Sequence, residues 1–310
     1  MARKPLLALK IDVDTYRGTL AGVPRLVETL RRFEAGATFL FSLGPDHTGR
    51  AIKRVFRPGF MKKVGRTSVV SHYGLLTPMY GTVLRGPDIG KRCADILRAP
   101  RDAGFETGIH CWDHVKWQDG VEQAGVQWTQ AEIEKSRARY EKVFGEPARV
   151  CGAAGWQMNV HALRLEQRLG FDYASDTRGT HPFVPIWNGE IVRCPQLPTT
   201  LPTLDELIGV DGVTEDNAHE LIASLTAQPA DHVFTLHAEL EGMKLAPVFE
   251  RLLTVWREQG YEIVALRDLH KTLELATLPR CEIVRGEVPG RSGTLMVQGE
   301  EFLAKLKEAA

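Results

Sequence analysis

The chain switches repeatedly between two hydrophobic periods, and that alternation limits the folds open to it. Short β-rich runs occur at residues 6–11, 37–41, 105–109, 149–153, 171–175, 233–236 and 262–265. Between them, at 24–34, 88–98, 129–144, 160–169, 215–227 and 245–259, apolar side chains recur at helical spacing. In the first of these, Leu26, Val27 and Leu30 mark the stripe to be buried. Gly145, Gly170 and Gly260 follow three of the helical stretches as stop signals. Parallel neighbours need a crossover of about a dozen residues, normally a helix. The pattern therefore predicts an α/β architecture on a parallel sheet of about seven strands. Two zones break the rhythm, residues 44–87 and the Pro-rich 179–202. Both read as long loops or insertions.

Bulk properties narrow the field further. With 310 residues, 43% hydrophobic and 25% charged, the chain is neither collagen-like nor a coiled coil nor wholly disordered. Its 39 Lys and Arg balance 39 Asp and Glu, which argues against a uniformly basic nucleic-acid binder. The balance hides a cancellation. Residues 47–87 hold eight basic side chains and no acid, interleaved with apolar ones such as Val55, Phe56, Phe60 and Met61. Basic and apolar together is the composition of a membrane-interfacial segment. The least charged stretch, 67–84, has only 9 apolar residues in 18 and is no spanning helix. Five cysteines without a CxxC pair argue against a disulfide framework. With no signal peptide at the N-terminus, the expectation is a cytoplasmic protein resting on the inner face of a membrane.

In a β/α barrel, chemistry gathers at the C-terminal ends of the strands. Five expected strand ends here carry reactive or Gly-rich residues: Asp12 and Asp14; His110 and His114; the turn from Gly152 to Trp156; Asp176 and Arg178; His237 and Glu239. Two imidazoles at i and i+4 on a helix face one direction and can share a metal. Two carboxylates at i and i+2 of an extended segment point to one side of it. One can complete a metal site while the other takes a proton, and His237 can then serve as an acid.

In this order, the strings IDVDT, HCWDH, CGAAGW, SDTRG and TLHAE resemble the NodB-type polysaccharide deacetylases, over about residues 6–270. Longer runs, including IDVDTYRGTLAGVPRL, HCWDHVKWQ and LPTTLPTLDELIG, are similar to the branch of that family that deformylates a lipid-linked amino sugar. The resemblance implies a distorted (β/α)7 barrel over residues 1–275, a basic-apolar insertion at 47–87, and a C-terminal extension at 276–310. It implies metal-dependent hydrolysis of the N-formyl group of undecaprenyl-phosphate 4-deoxy-4-formamido-L-arabinose, within lipid A modification and resistance to cationic peptides. Deacetylation of another amino sugar and a non-catalytic membrane-bound scaffold are the competing readings. By resemblance Asp12 is the base, and Asp14, His110 and His114 hold one divalent ion (Zn, Co, Ni or Mn). His237 protonates the leaving amine and Asp176 orients or charges it. Gly155, Trp156 and Glu239 are candidates for substrate binding. The family's third motif carries an arginine that helps hold the base, and here Ala153 to Trp156 replace it. Arg178 is the nearest candidate for that cation, with substrate phosphate as its alternative role.

Overall fold

The computed structural model describes residues 3–51 and 76–302. Most of the basic residues of the 47–87 segment, and its aromatic and methionine residues up to position 75, lie outside the described residues.

Seven parallel strands form the main sheet. They are β1 (Leu6–Val13), β2 (Thr38–Ser42), β3 (Glu106–Cys111), β4 (Val150–Cys151), β5 (Tyr173–Ala174), β8 (His232–His237) and β9 (Glu262–Ala265). Each lies where the alternation predicts one. The order is β5-β4-β3-β2-β1-β8, with β9 also on β1. A strand has two edges, yet β1 has three partners. It gives residues 7–12 to β8, residues 10–13 to β2 and residues 6–9 to β9. So β2 and β9 divide one edge between them, and the barrel is distorted there.

Every residue of β1 is buried, because the strand faces apolar layers on both sides. Leu7, Leu9, Ile11 and Val13 pack outward under the helices Val23–Arg32, Ala94–Asp102 and Ala246–Glu258, with Leu26, Leu97 and Phe249 among their neighbours. Leu6 and Ala8 point inward with Leu40, Val150, Tyr173 and Val233. By the two-residue period, Lys10 and Asp12 continue that inward column toward the C-terminal end. The helices over residues 126–144 and 160–169 stop at their glycines as expected. The stretch expected at 88–98 is two helices, Ile89–Arg92 and Ala94–Asp102. They are separated where Cys93 leaves helical geometry (φ −116°, ψ 18°) and is buried.

The edges of β5 and β8 do not pair with each other among the described residues. Residues 195–201 fill the gap. Ala174 N donates to Pro195 O (2.9 Å), Leu197 N to Ala174 O (2.8 Å), and Thr200 N to Val233 O (3.0 Å). Pro195 and Pro198 lack an N–H, so this wall is built from isolated bridges rather than a strand. The end of the Pro-rich zone is therefore part of the barrel.

A second sheet was not expected. It comprises β6 (Val184–Trp187), β7 (Glu190–Ile191), β10 (Arg280–Glu287) and β11 (Thr294–Glu301), in the order β11-β10-β6-β7. Its first hairpin turns at Asn188-Gly189, both with positive φ (51° and 80°). That dipeptide is the strongest short hairpin signal. The strands flanking it are too short to show a period. The C-terminal hairpin locks onto the barrel: Arg178 N donates to Met296 O (2.9 Å) and Gln298 N to Arg178 O (2.7 Å).

Candidate metal and acid-base site

The C-terminal ends of β1, β3 and β8 bring together five side chains spread over 226 positions, from Asp12 to His237. The carboxylate of Asp14 lies 3.2 Å from His110 Nε2 and 3.4 Å from His114 Nε2. One ligand atom from each of the three falls within 4.8 Å of the others. His110 is the penultimate residue of β3, and its Nδ1 lies 2.8 Å from Gly152 O. A carbonyl only accepts, so Nδ1 carries the proton and Nε2 is left to coordinate. His114 opens the Asp113-capped helix His114–Gly120. Asp113 also holds His47 Nδ1 at 2.6 Å, tying the base of the 47–87 segment to this turn. The three side chains fit a divalent ion: two imidazoles and a carboxylate, convergent, with Asp14 Oδ1 buried and without a hydrogen-bond partner. Burial alone would raise the Asp14 pKa, but the neighbouring His114, His110 and His237 outweigh it and hold the carboxyl well below the usual range.

Asp12 sits one step inward from this group and is 3% exposed. Its Oδ1 is 3.6 Å from His110 Nδ1 and has no hydrogen-bond partner. Its Oδ2 is 3.6 Å from Lys10 Nζ. Strand register sets Asp12 beside His237. The N–H of His237 donates to Glu241 Oε2 at 2.8 Å, while its Nδ1 is buried and unpartnered.

Lys10 is the residue that the sequence reading missed. It is fully buried, donates to Ser175 O (2.8 Å) and lies 5.3 Å from the centre of the Trp156 ring. Its position two residues before Asp12, charged inside an apolar strand, was the available signal. Arg178 does not occupy that place. Its guanidinium donates to Glu206 Oε1 (2.5 Å) and Leu201 O (2.9 Å), so it is committed beneath the second sheet and open neither to Asp12 nor to a phosphate.

Other sequence candidates divide in the same way. Asp176 accepts from Ala153 N (2.8 Å) and Gln196 Nε2 (2.7 Å). Its charged neighbours are Lys10 and Glu166, with no contact to His237 among them. Burial and the charge of Asp176 push Glu166 far above the ordinary carboxyl range, so Glu166 keeps the proton of that pair. Trp156 is 2% exposed, with Lys10, Arg178 and Arg291 over its ring. It offers no face to a sugar and serves as a wall for cations. It also sits at positive φ (52°) next to Gly155 (62°), a strained turn of the kind held at functional sites. Glu239 Oε1 accepts from Asp14 N (3.1 Å), Thr15 N (2.8 Å) and Thr15 Oγ1 (2.8 Å). It clamps the loop that carries Asp14. A Cβ at Gly18 would lie 1.9 Å from that oxygen, which is why this turn needs glycine.

No family model matches the chain. Among solved structures, a Mycobacterium smegmatis protein assigned to the polysaccharide deacetylases superposes with TM-score 0.64 at 18% identity, covering 93% of this chain and 96% of that one. A CE4-family pseudoenzyme from Bacillus anthracis superposes with TM-score 0.50 at 12% identity, over 87% of this chain and 66% of that one. These likenesses concern the fold, which serves active and inactive members alike. Sequence relatives are closer. A protein of Shewanella sediminis (strain HAW-EB3), named a probable 4-deoxy-4-formamido-L-arabinose-phosphoundecaprenol deformylase, is 40% identical over 305 residues, 98% of this chain and 97% of that one. Its namesake from Wigglesworthia glossinidia brevipalpis is 33% identical over 91% of this chain and 98% of that one. With both chains matched nearly end to end, this protein belongs to the 4-deoxy-4-formamido-L-arabinose-phosphoundecaprenol deformylase family.

Proposed function

We propose that the chain hydrolyses the formamide of a lipid-linked 4-formamido-arabinose, releasing formate and leaving the free amine on the lipid. The convergence of Asp12, Asp14, His110, His114 and His237 at three neighbouring strand ends carries this reading, supported by the family. Asp14, His110 and His114 would hold the divalent ion. Such an ion polarises the amide carbonyl and lowers the pKa of the attacking water toward ~7. Asp12 takes the proton of that water as the new C–O bond forms. Lys10 aims Asp12 through its ammonium, 3.6 Å from Oδ2, and Ser175 O and Trp156 hold Lys10 in turn. As the C–N bond breaks, its electron pair stays on nitrogen, which takes a proton from His237. Ala153 N–H is bound to Asp176 and Trp156 N–H to Ala153 O, so neither is offered to an oxyanion.

Incubating the metal-loaded protein with formylated and acetylated lipid-linked sugars and identifying the acid released tests the reading. Formate from the first substrate alone is expected. Acetate released as readily would assign an N-deacetylase instead.

A lipid-linked substrate requires contact with a membrane, and we propose residues 47–87 for that contact, against an anionic cytoplasmic leaflet. Among the described residues, no helix is long and apolar enough to cross a membrane. The segment leaves and rejoins the barrel at one place, where Pro45 and Asp88 form a bridge. Close to its return, Leu76, Val83 and Leu84 are exposed, Val83 at 77%. Flotation with phosphatidylglycerol liposomes should succeed for the wild type and fail when Lys62, Lys63 and Arg66 are neutralised together. Equal flotation of both would remove this role.

A further inference from the structure

Two acids in the turn after β8 behave alike. Glu239 uses one oxygen to clamp the Asp14 loop, and Glu241 uses one to hold the N–H of His237. In each, the other oxygen is buried and without a partner. Glu241 is 1% exposed and lies on the wide helical turn Leu240–Lys244. That turn packs on a second wide turn, Gly18–Gly22, so tightly that a Cβ at Gly242 would lie 2.7 Å from Gly22 Cα. Such π-type turns recur at functional sites because they set side chains off the ordinary helical track. Glu241 is therefore held rigidly beside the end of β8.

The ring of His237 has the complementary need. Its Nδ1 is buried with no hydrogen-bond partner, as is Glu241 Oε1. An unmet buried polar atom is costly, and one water shared between these neighbours meets both needs. We propose that Glu241 is the positioning residue of His237: its carboxylate fixes the end of β8 and holds the imidazole Nδ1–H through one bridging water, so that Nε2 presents a proton to the leaving nitrogen. The proposal rests on His237 being the proton donor. It replaces Asp176, whose oxygens are taken by Ala153 and Gln196. Burial raises the Glu241 carboxyl to about 7, and the His237 charge opposes that rise. The other charged groups facing the pair are Asp12 and Asp14 on the side of β1, and Asp205, which is itself paired with Arg291 at 3.3 Å.

The test is Glu241→Gln in the zinc-loaded protein, read in two ways. The ¹⁵N shift of His237 Nδ1 should move away from that of a protonated, hydrogen-bonded nitrogen. Turnover of the formylated lipid-linked sugar should fall ~10- to 100-fold, with KM within about twofold and zinc content unchanged. Glu241→Asp should recover part of the loss, because a shorter carboxylate keeps the charge. An unchanged Nδ1 shift in Glu241→Gln overturns the proposal. If the glutamine variant does not fold, a Glu241→Asp variant with both wild-type turnover and a wild-type Nδ1 shift overturns it as well. His237→Ala is the control on the underlying reading. If it keeps full turnover, the proton-donor role fails, and the Glu241 contact is then judged by the nitrogen shift alone.

Discussion

The two ends of the main sheet treat their carboxyl groups in opposite ways. At the N-terminal end, Glu106 accepts from Thr38 Oγ1 (2.5 Å), Tyr173 OH (2.6 Å) and Arg267 N (3.0 Å). Thr38 Oγ1 in turn accepts from Leu266 N, so β2, β3, β5 and the last barrel helix, Leu266–Lys271, are pinned together. At the C-terminal end, around β1 and β8, the carboxyls are left wanting. Among the described residues, six buried carboxylate oxygens have no hydrogen-bond partner, and four belong to Asp12, Asp14, Glu239 and Glu241. A carboxyl with three donors on one oxygen and no buried orphan on the other is structural, because its removal breaks bonds and nothing else. An unsatisfied buried oxygen is unfavourable and keeps a lone pair for a metal, a proton or a neighbouring imidazole. The same strands thus carry a stabilising end and a reactive end.

Breaking the reactive end at its ligands should have the largest effect. His110→Ala and His114→Ala should each lose the metal and lower turnover by on the order of 10³-fold or more, checked by metal analysis beside kinetics. Metal retained at wild-type level in both would remove them as ligands. Asp12→Asn should cost ~10²- to 10³-fold in kcat while metal stays bound. Lys10→Met should come next, at ~10- to 100-fold, and Lys10→Arg should restore most of it. If the methionine variant works as well as the arginine one, Lys10 is packing and not the cation that holds Asp12.

A smaller effect should appear in stability against pH. Glu241, raised by burial to about 7 from 4.5, keeps its proton in the folded chain where the unfolded chain has lost it. A raised carboxyl contributes stability that is present below 4.5 and is lost as pH climbs through about 7. The metal-free protein should therefore weaken across that window by ~3 kcal/mol at most from this group, and Glu241→Gln should flatten the curve in urea titrations. A wild-type curve that instead rises steadily to pH 8 would contradict the sign. The smallest effect belongs to the stabilising end. Glu106→Gln should lose ~1–2 kcal/mol of stability and leave kcat within about twofold. A large loss of turnover there would erase the distinction between the two ends.

Much of this molecule was legible before its structure. All seven barrel strands fall on the predicted runs, since parallel strands buried on both faces leave continuous apolar stretches. The convergence of the Asp12, His110 and His237 strand ends follows from barrel geometry once the strands are ordered. The second sheet was missed because β6 and β7 are short and the 276–310 segment follows no barrel rhythm. Trp156 was misread for another reason: an indole that packs on cations has the same letter as one that stacks on a sugar.

Local spacing determines which side chains share a strand face or a helix face, because the periods of two and 3.6 residues are fixed by the backbone. So the sequence alone determined that Asp12 and Asp14 leave β1 together, and that His110 and His114 bracket one turn. Which partner each reactive group meets across the barrel was decided only by the tertiary structure. Lys10 rather than Arg178 stands behind Asp12, and Glu241 rather than Asp176 stands beside His237. Those pairings join residues from separate strands and turns, and their distances depend on how the whole sheet curves and closes. No periodicity along one strand encodes that curvature.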